Sequence, residues 1–348
     1  MNKMMKVAVM QDIMKTEYIE RNIPTPNKDE VLVKVEYVGV CGSDLHYYET
    51  GAIGPYIVKP PFVLGHECSG TIVQVGNDVS HLNIGDRVAL EPGKTCGKCD
   101  FCKKGDYHLC ADVEFFATPP FDGTLCEYVS HDADLCFKLP ESVSTMEGCL
   151  IEPLAVGFHA ANQGRAEFGQ TAVIFGSGCI GLVTMLATSS KGIKDIIVVD
   201  IADNRLNKAK ELGATHIINA TKEDVVNRIN EITSNKGVDL AIETAGAVIA
   251  ANQCIHAVKK GGNIVLVGYT STGKMDLEMS LALDKEITFR TVFRYKHIYP
   301  MAIEAVEKNN LNLEKIVTNV FDFDDVHNAL EQSIVNKQEI VKSVIRVN

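Results

Sequence analysis

The chain has 348 residues, 46% hydrophobic and 23% charged, with a formal net charge of −11. That length suggests two domains, because single cores rarely grow past about 250–300 residues, and the acidic balance argues against nucleic acid and anionic membrane surfaces, which call for basic patches. No run approaches the roughly 18 apolar residues of a membrane span, and Met1–Met10 lacks the apolar core and cleavage site of a signal peptide; a cytoplasmic chain acting on a small molecule is expected.

β-Branched runs at Glu30–Val40, Gly70–Gly76 and Asp86–Leu90, punctuated by glycine and proline across Gly51–Pro61 and at Gly85-Asp86, predict a β-rich domain over residues 1–152. A helical pattern starts at Glu152, and after Gly169 strands and helices alternate. Candidate strands are Thr171–Phe175, Asp195–Asp200, His216–Asn219, Val238–Thr244, Asn263–Gly268 and Ile287–Phe293, with helical segments at Asn204–Leu212 and Lys222–Ile232. That alternation predicts an α/β domain over 153–293, a doubly wound parallel sheet of βαβ units. The segment 294–348 returns to a helix at Met301–Asn310 and a last strand at Glu339–Val347, expected to pack on the N-terminal domain. No internal repeat or low-complexity tract is present in the sequence.

Three segments carry metal-ligand residue types: Cys41-Gly42-Ser43-Asp44-Leu45-His46, Gly65-His66-Glu67 and Ile151-Glu152-Pro153-Leu154. Singly each has a dull explanation; together they offer one S, one N and one O donor, the three-ligand set of a catalytic zinc with an open position. Cys96, Cys99, Cys102 and Cys110 follow a C-x2-C-x2-C-x7-C spacing in a lobe over about 93–113. Four thiolates so close can close a tetrahedral structural zinc site. An iron–sulfur cluster fits less well, because the last gap is seven residues and no proline follows. Disulfides are disfavoured in a reducing compartment. The remaining cysteines, Cys68, Cys126, Cys136, Cys149, Cys179 and Cys254, read as small buried hydrophobes.

After the strand at Thr171–Phe175 comes Gly176-Ser177-Gly178-Cys179-Ile180-Gly181, which opens an apolar helix. In that context the glycines allow a tight turn, approach of a pyrophosphate and close helix packing, while the helix N-terminus offers unpaired N–H groups. The second strand ends at Asp200, whose carboxylate suits the ribose hydroxyls and repels a 2′-phosphate, favouring NAD over NADP. Arg205, a turn further on, is placed to stack on the adenine or hold Asp200.

The motifs CGSDLHYY, GHE, the four-cysteine lobe, IEPLAVGFHA, GSGCIG, VVD and VFRY together resemble the zinc-containing medium-chain alcohol dehydrogenases, most of all the sorbitol (L-iditol/xylitol) dehydrogenase branch. The resemblance runs over essentially the whole chain. It implies a GroES-like catalytic domain, a Rossmann NAD-binding domain with a cleft between them, and a homotetramer. It further implies reversible zinc-dependent, NAD-linked oxidation of a polyol secondary alcohol to a ketose. It assigns Cys41, His66 and Glu152 to the catalytic zinc, with Glu67 binding directly or through water and Asp44 accepting the second ring N–H of His66. Ser43 and His46 resemble a proton relay, for which a water path through Glu67 or Glu152 is the slightly favoured alternative. The resemblance places Tyr47, Glu152, Arg294 and Tyr295 at the polyol. Val267, Gly268 and Tyr269, with Val292, Phe293 and Arg294, fall beside the nicotinamide. Competing readings are a 2,3-butanediol dehydrogenase, a sugar-phosphate or threonine dehydrogenase, a non-enzymatic relative that keeps the fold, and a zinc-ribbon nucleic-acid binder, which the acidic charge opposes.

Overall fold

Val31, Val33 and Val35, each fully buried, put alternate side chains of one strand into a core, as the two-residue period of a pleated strand requires. In the computed structural model, which describes residues 3–270, 273–309 and 311–348, that strand is β3 (Glu30–Gly39). It follows an antiparallel hairpin of β1 (Met4–Asp12) and β2 (Lys15–Asn22). Helix α1 (Gly42–Thr50) comes next, then β4 (Glu67–Val75), β5 (Arg87–Leu90), β6 (Tyr128–Asp132) and β7 (Cys136–Lys138). β3 pairs antiparallel with β4 and β6, and β5 joins β4 to β7. Helix α2 (Ile151–Gln163) carries Pro153 in its first turn, where the N–H that proline lacks has no intrahelical partner to lose.

The next stretch alternates strictly: β8 (Thr171–Phe175), α3 (Cys179–Ser190), β9 (Asp195–Asp200), α4 (Asp203–Glu211), β10 (His216–Asn219), α5 (Val225–Ile232), β11 (Val238–Glu243), α6 (Val248–Ala257), β12 (Val258–Leu266), a short helix at Met279–Asp284 and β13 (Thr288–Thr291). The six strands form one sheet in the order β10-β9-β8-β11-β12-β13, every pair parallel. Val173, Ile174, Ile197, Val198, Ala241 and Ile242 are fully buried, which is why these strands read as continuous apolar runs rather than alternating ones. The strand order reverses between β8 and β11, the switch point where doubly wound sheets bind nucleotides.

The tail contributes α7 (Tyr299–Asn309), β14 (Asn319–Asp322), α8 (Val326–Val335) and β15 (Ser343–Arg346). β15 pairs antiparallel with β3 and parallel with β14, completing a seven-stranded sheet in which β7-β5-β4-β3-β15-β14 are neighbours and β6 lies on β3. The chain divides into one unit of Met1–Glu152 with Tyr299–Asn348 and a second of Pro153–Ile298. Among the described residues no helix is long and apolar enough to cross a membrane.

Element edges shift where a cap intervenes. The helix predicted from Lys222 starts at Val225 because the Asp224 side chain accepts the Asn227 N–H at 3.0 Å. The last predicted strand shrinks to Ser343–Arg346. Of the segment Met1–Met10 and the helix at Met301–Asn310, residues Met1, Asn2 and Asn310 lie outside the described residues.

Candidate metal centre and nucleotide turn

Cys41 leaves β3 and caps α1 with an extended backbone, φ −95° and ψ 155°. Three residues on, Asp44 turns back: its Oδ2 accepts the Cys41 N–H at 3.0 Å and its Oδ1 accepts the Gly65 N–H at 2.9 Å. The same Oδ1 lies 3.5 Å from Nδ1 of His66. One buried carboxylate thus ties the segment bearing Cys41 to the segment bearing His66 and Glu67. The result is that ligand atoms of Cys41, His66 and Glu67 all lie within 4.8 Å of one another, close to what one ion with bonds of about 2.0–2.3 Å spans.

Burial alone would raise the Asp44 pKa, but the His66 charge and the two backbone N–H donors outweigh it and hold the carboxyl below its ordinary value. Burial opposes a charge on His66 too, yet the Asp44 carboxylate, followed by Cys41, drives its pKa well above the usual imidazole value.

Glu67 is one of the most buried acids in the protein, 1% exposed. Its Oε2 meets the ammonium of Lys342, itself 3% exposed, and Lys342 Nζ also donates to the Val40 carbonyl at 3.0 Å. Sequence reading missed this lysine; its only signal was a cation that, with Arg346, interrupts the otherwise strand-like run Glu339–Val347. Glu152 is buried in the first turn of α2 and stands outside the threesome of Cys41, His66 and Glu67.

Ser43 and His46 share α1, half-buried and exposed respectively. Tyr47, 3% exposed, packs edge-on to Phe62 with ring centroids 6.4 Å apart. In the second unit, Arg294 adopts the left-handed region at φ 55° and lays its guanidinium 4.7 Å over the Phe293 ring. Val292 and Tyr295 are buried, Phe293 and Tyr269 exposed. The Val267 and Gly268 N–H groups both donate to the Glu243 carbonyl.

The four-cysteine lobe is compact. Sγ of Cys102 lies 3.9 Å from Cys96 and 3.5 Å from Cys99, and all four ligand atoms lie within 4.8 Å of one another. Such spacings far exceed a disulfide bond of about 2.05 Å and match the edge of a tetrahedron with zinc–sulfur bonds of about 2.3 Å, roughly 3.8 Å. Backbone N–H groups of Lys98 and Cys99 bring the Cys96 thiol down to about 7. All eleven cysteines are free thiols. Cys68, Cys126, Cys136, Cys149 and Cys254 are buried as expected, whereas Cys179 is only half-buried, because it opens α3 instead of facing the core.

At the nucleotide turn Gly176 sits at φ 94°, and a Cβ on Gly181 would stand 1.9 Å from the Gly176 carbonyl oxygen, so helix and turn meet backbone to backbone. Gly178 caps α3 without a side chain, leaving the first-turn N–H groups to an incoming anion. Ile180 follows in that turn, half-buried. Asp200, at the end of β9, accepts the Ser177 N–H at 2.6 Å and those of Ile201 and Ala202 at 2.8 and 3.0 Å. It is thereby pinned beside the turn. Arg205 Nη1 lies 3.8 Å from where a Cβ of Gly178 would stand.

The chain matches the family model of the alcohol dehydrogenase GroES-like domain over residues 27–141 and that of the zinc-binding dehydrogenase over 179–308. It is 42% identical to the sorbitol dehydrogenase of Bacillus subtilis over 344 residues, covering 99% of this chain and 98% of that one. Among solved structures, an oxidoreductase/dehydrogenase of unknown specificity from Escherichia coli superposes with a TM-score of 0.95 at 42% identity, covering 99% of this chain and 100% of that one. The 2R,3R-butanediol dehydrogenase of Bacillus subtilis superposes at 0.90 with 31% identity, covering 99% and 100%.

Proposed function

The chain belongs to the zinc-containing medium-chain alcohol dehydrogenase family, and from that premise we propose that it oxidises a secondary hydroxyl of a polyol to the ketose, reversibly, with NAD as partner. Zinc and NAD are the cofactors. The observation that carries the reading is the cluster of the half-buried Cys41 sulfur with the buried His66 imidazole and Glu67 carboxylate, tied together by Asp44. Sorbitol-type relatives at 42% identity over nearly the whole chain support the polyol.

Cys41, His66 and Glu152 would hold the catalytic zinc, with Glu67 beside them, and Cys96, Cys99, Cys102 and Cys110 the structural one. Bound zinc supplies a Lewis acid that lowers the pKa of a substrate hydroxyl, and NAD supplies the hydride acceptor. Asp44 keeps the Nδ1 side of His66 occupied, which presents Nε2 as the donor atom and fixes the ring. Glu67 or Glu152 would take the released proton through water, with Ser43 and His46 on α1 as the alternative route. Tyr47, Arg294 and Tyr295 would meet the remaining hydroxyls. On the second unit, Gly176, Gly178, Ile180 and Gly181 would receive the pyrophosphate. Asp200 would hold the adenosine ribose, with Arg205 over the adenine. Val267, Gly268, Tyr269, Val292 and Phe293 would border the nicotinamide. The assembly is a cytoplasmic homotetramer, and each chain takes a small-molecule substrate.

Initial rates with sorbitol, xylitol, L-iditol, galactitol, 2,3-butanediol and threonine, each with NAD and NADP, test the reading. Polyols should turn over with NAD and poorly with NADP. Turnover confined to butanediol would transfer the assignment to the diol, a reading that the 31% identical butanediol enzyme supports.

A further inference from the structure

The Glu67 carboxylate has two claimants within reach. On one side its oxygen stands within 4.8 Å of the ligand atoms of Cys41 and His66; on the other it meets the buried Lys342 ammonium. We propose that Lys342 is a positioning residue that decides whether Glu67 stays on the ammonium or joins Cys41 and His66 on the metal. The inference rests on the ligand set given above.

Three features build the lysine side of this choice. First, the register of β3 with β4 sets Gly39 opposite Glu67, and β15 sets Val344 opposite Gly39, so the three strands converge where the carboxylate lies. Second, Gly39 leaves the space that the carboxylate fills: a Cβ there would stand 2.1 Å from Oε2. Third, Lys342 is anchored by its bond to the Val40 carbonyl, one residue beyond β3 and one before Cys41. The ammonium is therefore fixed to the strand that delivers the sulfur ligand.

Charge gives the arrangement its purpose. The Cys41 thiolate and the Asp44, Glu67 and Glu152 carboxylates would bring four negative charges to a divalent ion, two in excess, and buried uncompensated charge is strongly disfavoured. The Lys342 ammonium halves the excess. It also keeps Glu67 from filling the position a substrate hydroxyl must enter, and an additional anionic donor would weaken the ion as a Lewis acid. Without the lysine, the carboxylate loses its ammonium partner and turns to the metal. Zinc should then be held more tightly and used less well.

The test strips holoenzyme with a zinc chelator and follows zinc per chain together with remaining turnover. Lys342→Met should release the zinc that carries turnover more slowly than the wild type, with a reduced kcat. Lys342→Arg, which keeps the cation, should release it at the wild-type rate. Gly39→Ala, which pushes the carboxylate off the lysine without touching it, should slow release as Lys342→Met does and serves if the latter fails to fold. Glu67→Gln and the double variant Lys342→Met/Glu67→Gln should release zinc at one common rate. Release from Lys342→Met and Gly39→Ala at the wild-type rate or faster, or slowing that persists without the Glu67 carboxylate, overturns the proposal. A wild-type chain with two zincs and no such effect sinks this inference alone. A wild-type chain whose only zinc is that of the four cysteines sinks the ligand assignment with it.

Discussion

Asp44 is a residue whose value lies in doing one thing for three partners. It is 2% exposed, accepts two backbone N–H groups and faces His66, so no solvent can substitute for it. Asp44→Asn keeps the shape but turns an N–H2 toward a donor and removes the charge opposite the imidazole. Zinc affinity at the catalytic site should fall about 10–100-fold, measured by competition with a chelating dye, while zinc in the four-cysteine lobe is unaffected. Glu91 behaves oppositely. Burial pushes its pKa up to about 7, the 2.8 Å bond from the Tyr107 hydroxyl pulling the other way. A carboxyl raised in the folded state contributes fully only below its unfolded value near 4.5, and that contribution is lost as pH rises through about 7. Glu91→Gln should therefore stabilise the protein by about 3 kcal/mol at pH 8 and by under about 1 kcal/mol at pH 5. Denaturant unfolding at the two pH values reads the difference, and a gain of equal size at both would contradict it.

Among the elements, the four-cysteine lobe has little else to hold it. Its helical turn, Asp100–Lys103, is four residues long with none buried, far too short to persist on propensity. Cys102→Ser should lose one zinc per chain and melt earlier, by an amount comparable to a lost structural metal site, yet retain most of its kcat at low temperature. Equal loss of stability and kcat would tie the lobe to the chemistry. The parallel sheet and its glycine turn were legible because their signals are local: apolar runs buried on both faces, a glycine set directly after a strand, an acid at the next strand's end. The seven-stranded sheet was less so. β3 takes partners at residues 67–75, 128–132 and 343–346, and nothing in a run of valines names a partner so distant. For the same reason Cys41, His66 and Glu67 were visible as ligand types, while Lys342 was not. Its role comes from strand pairing, not from its neighbours in sequence.

For the whole molecule, the first unit is discontinuous, closed by residues 299–348. Val344 and Ile345 are fully buried on β15, worth about 1.5–3 kcal/mol each, a large part of the usual 5–15 kcal/mol that a domain has in total. Deleting residues 339–348 removes both, together with Lys342. The truncated chain should lose the turnover-linked zinc and exchange the amide hydrogens of β3 and β4 rapidly, while β8 and β9 stay protected in hydrogen-exchange mass spectrometry. Retained zinc and slow exchange in β3 would show that the tail is dispensable.

That closing strand also sets an order of events on the ribosome. Residues 153–298 form a contiguous unit that leaves the exit tunnel whole, whereas β3 emerges early and must wait for a partner about 300 residues behind it. At about 5–20 residues per second, that delay is some 15–60 s, during which the thiol and imidazole of the future metal site stand without their lysine. In a nascent chain the nucleotide half should be born finished and the metal half born open, so zinc delivered before residue 342 is made would meet a site whose counter-charge has yet to be translated.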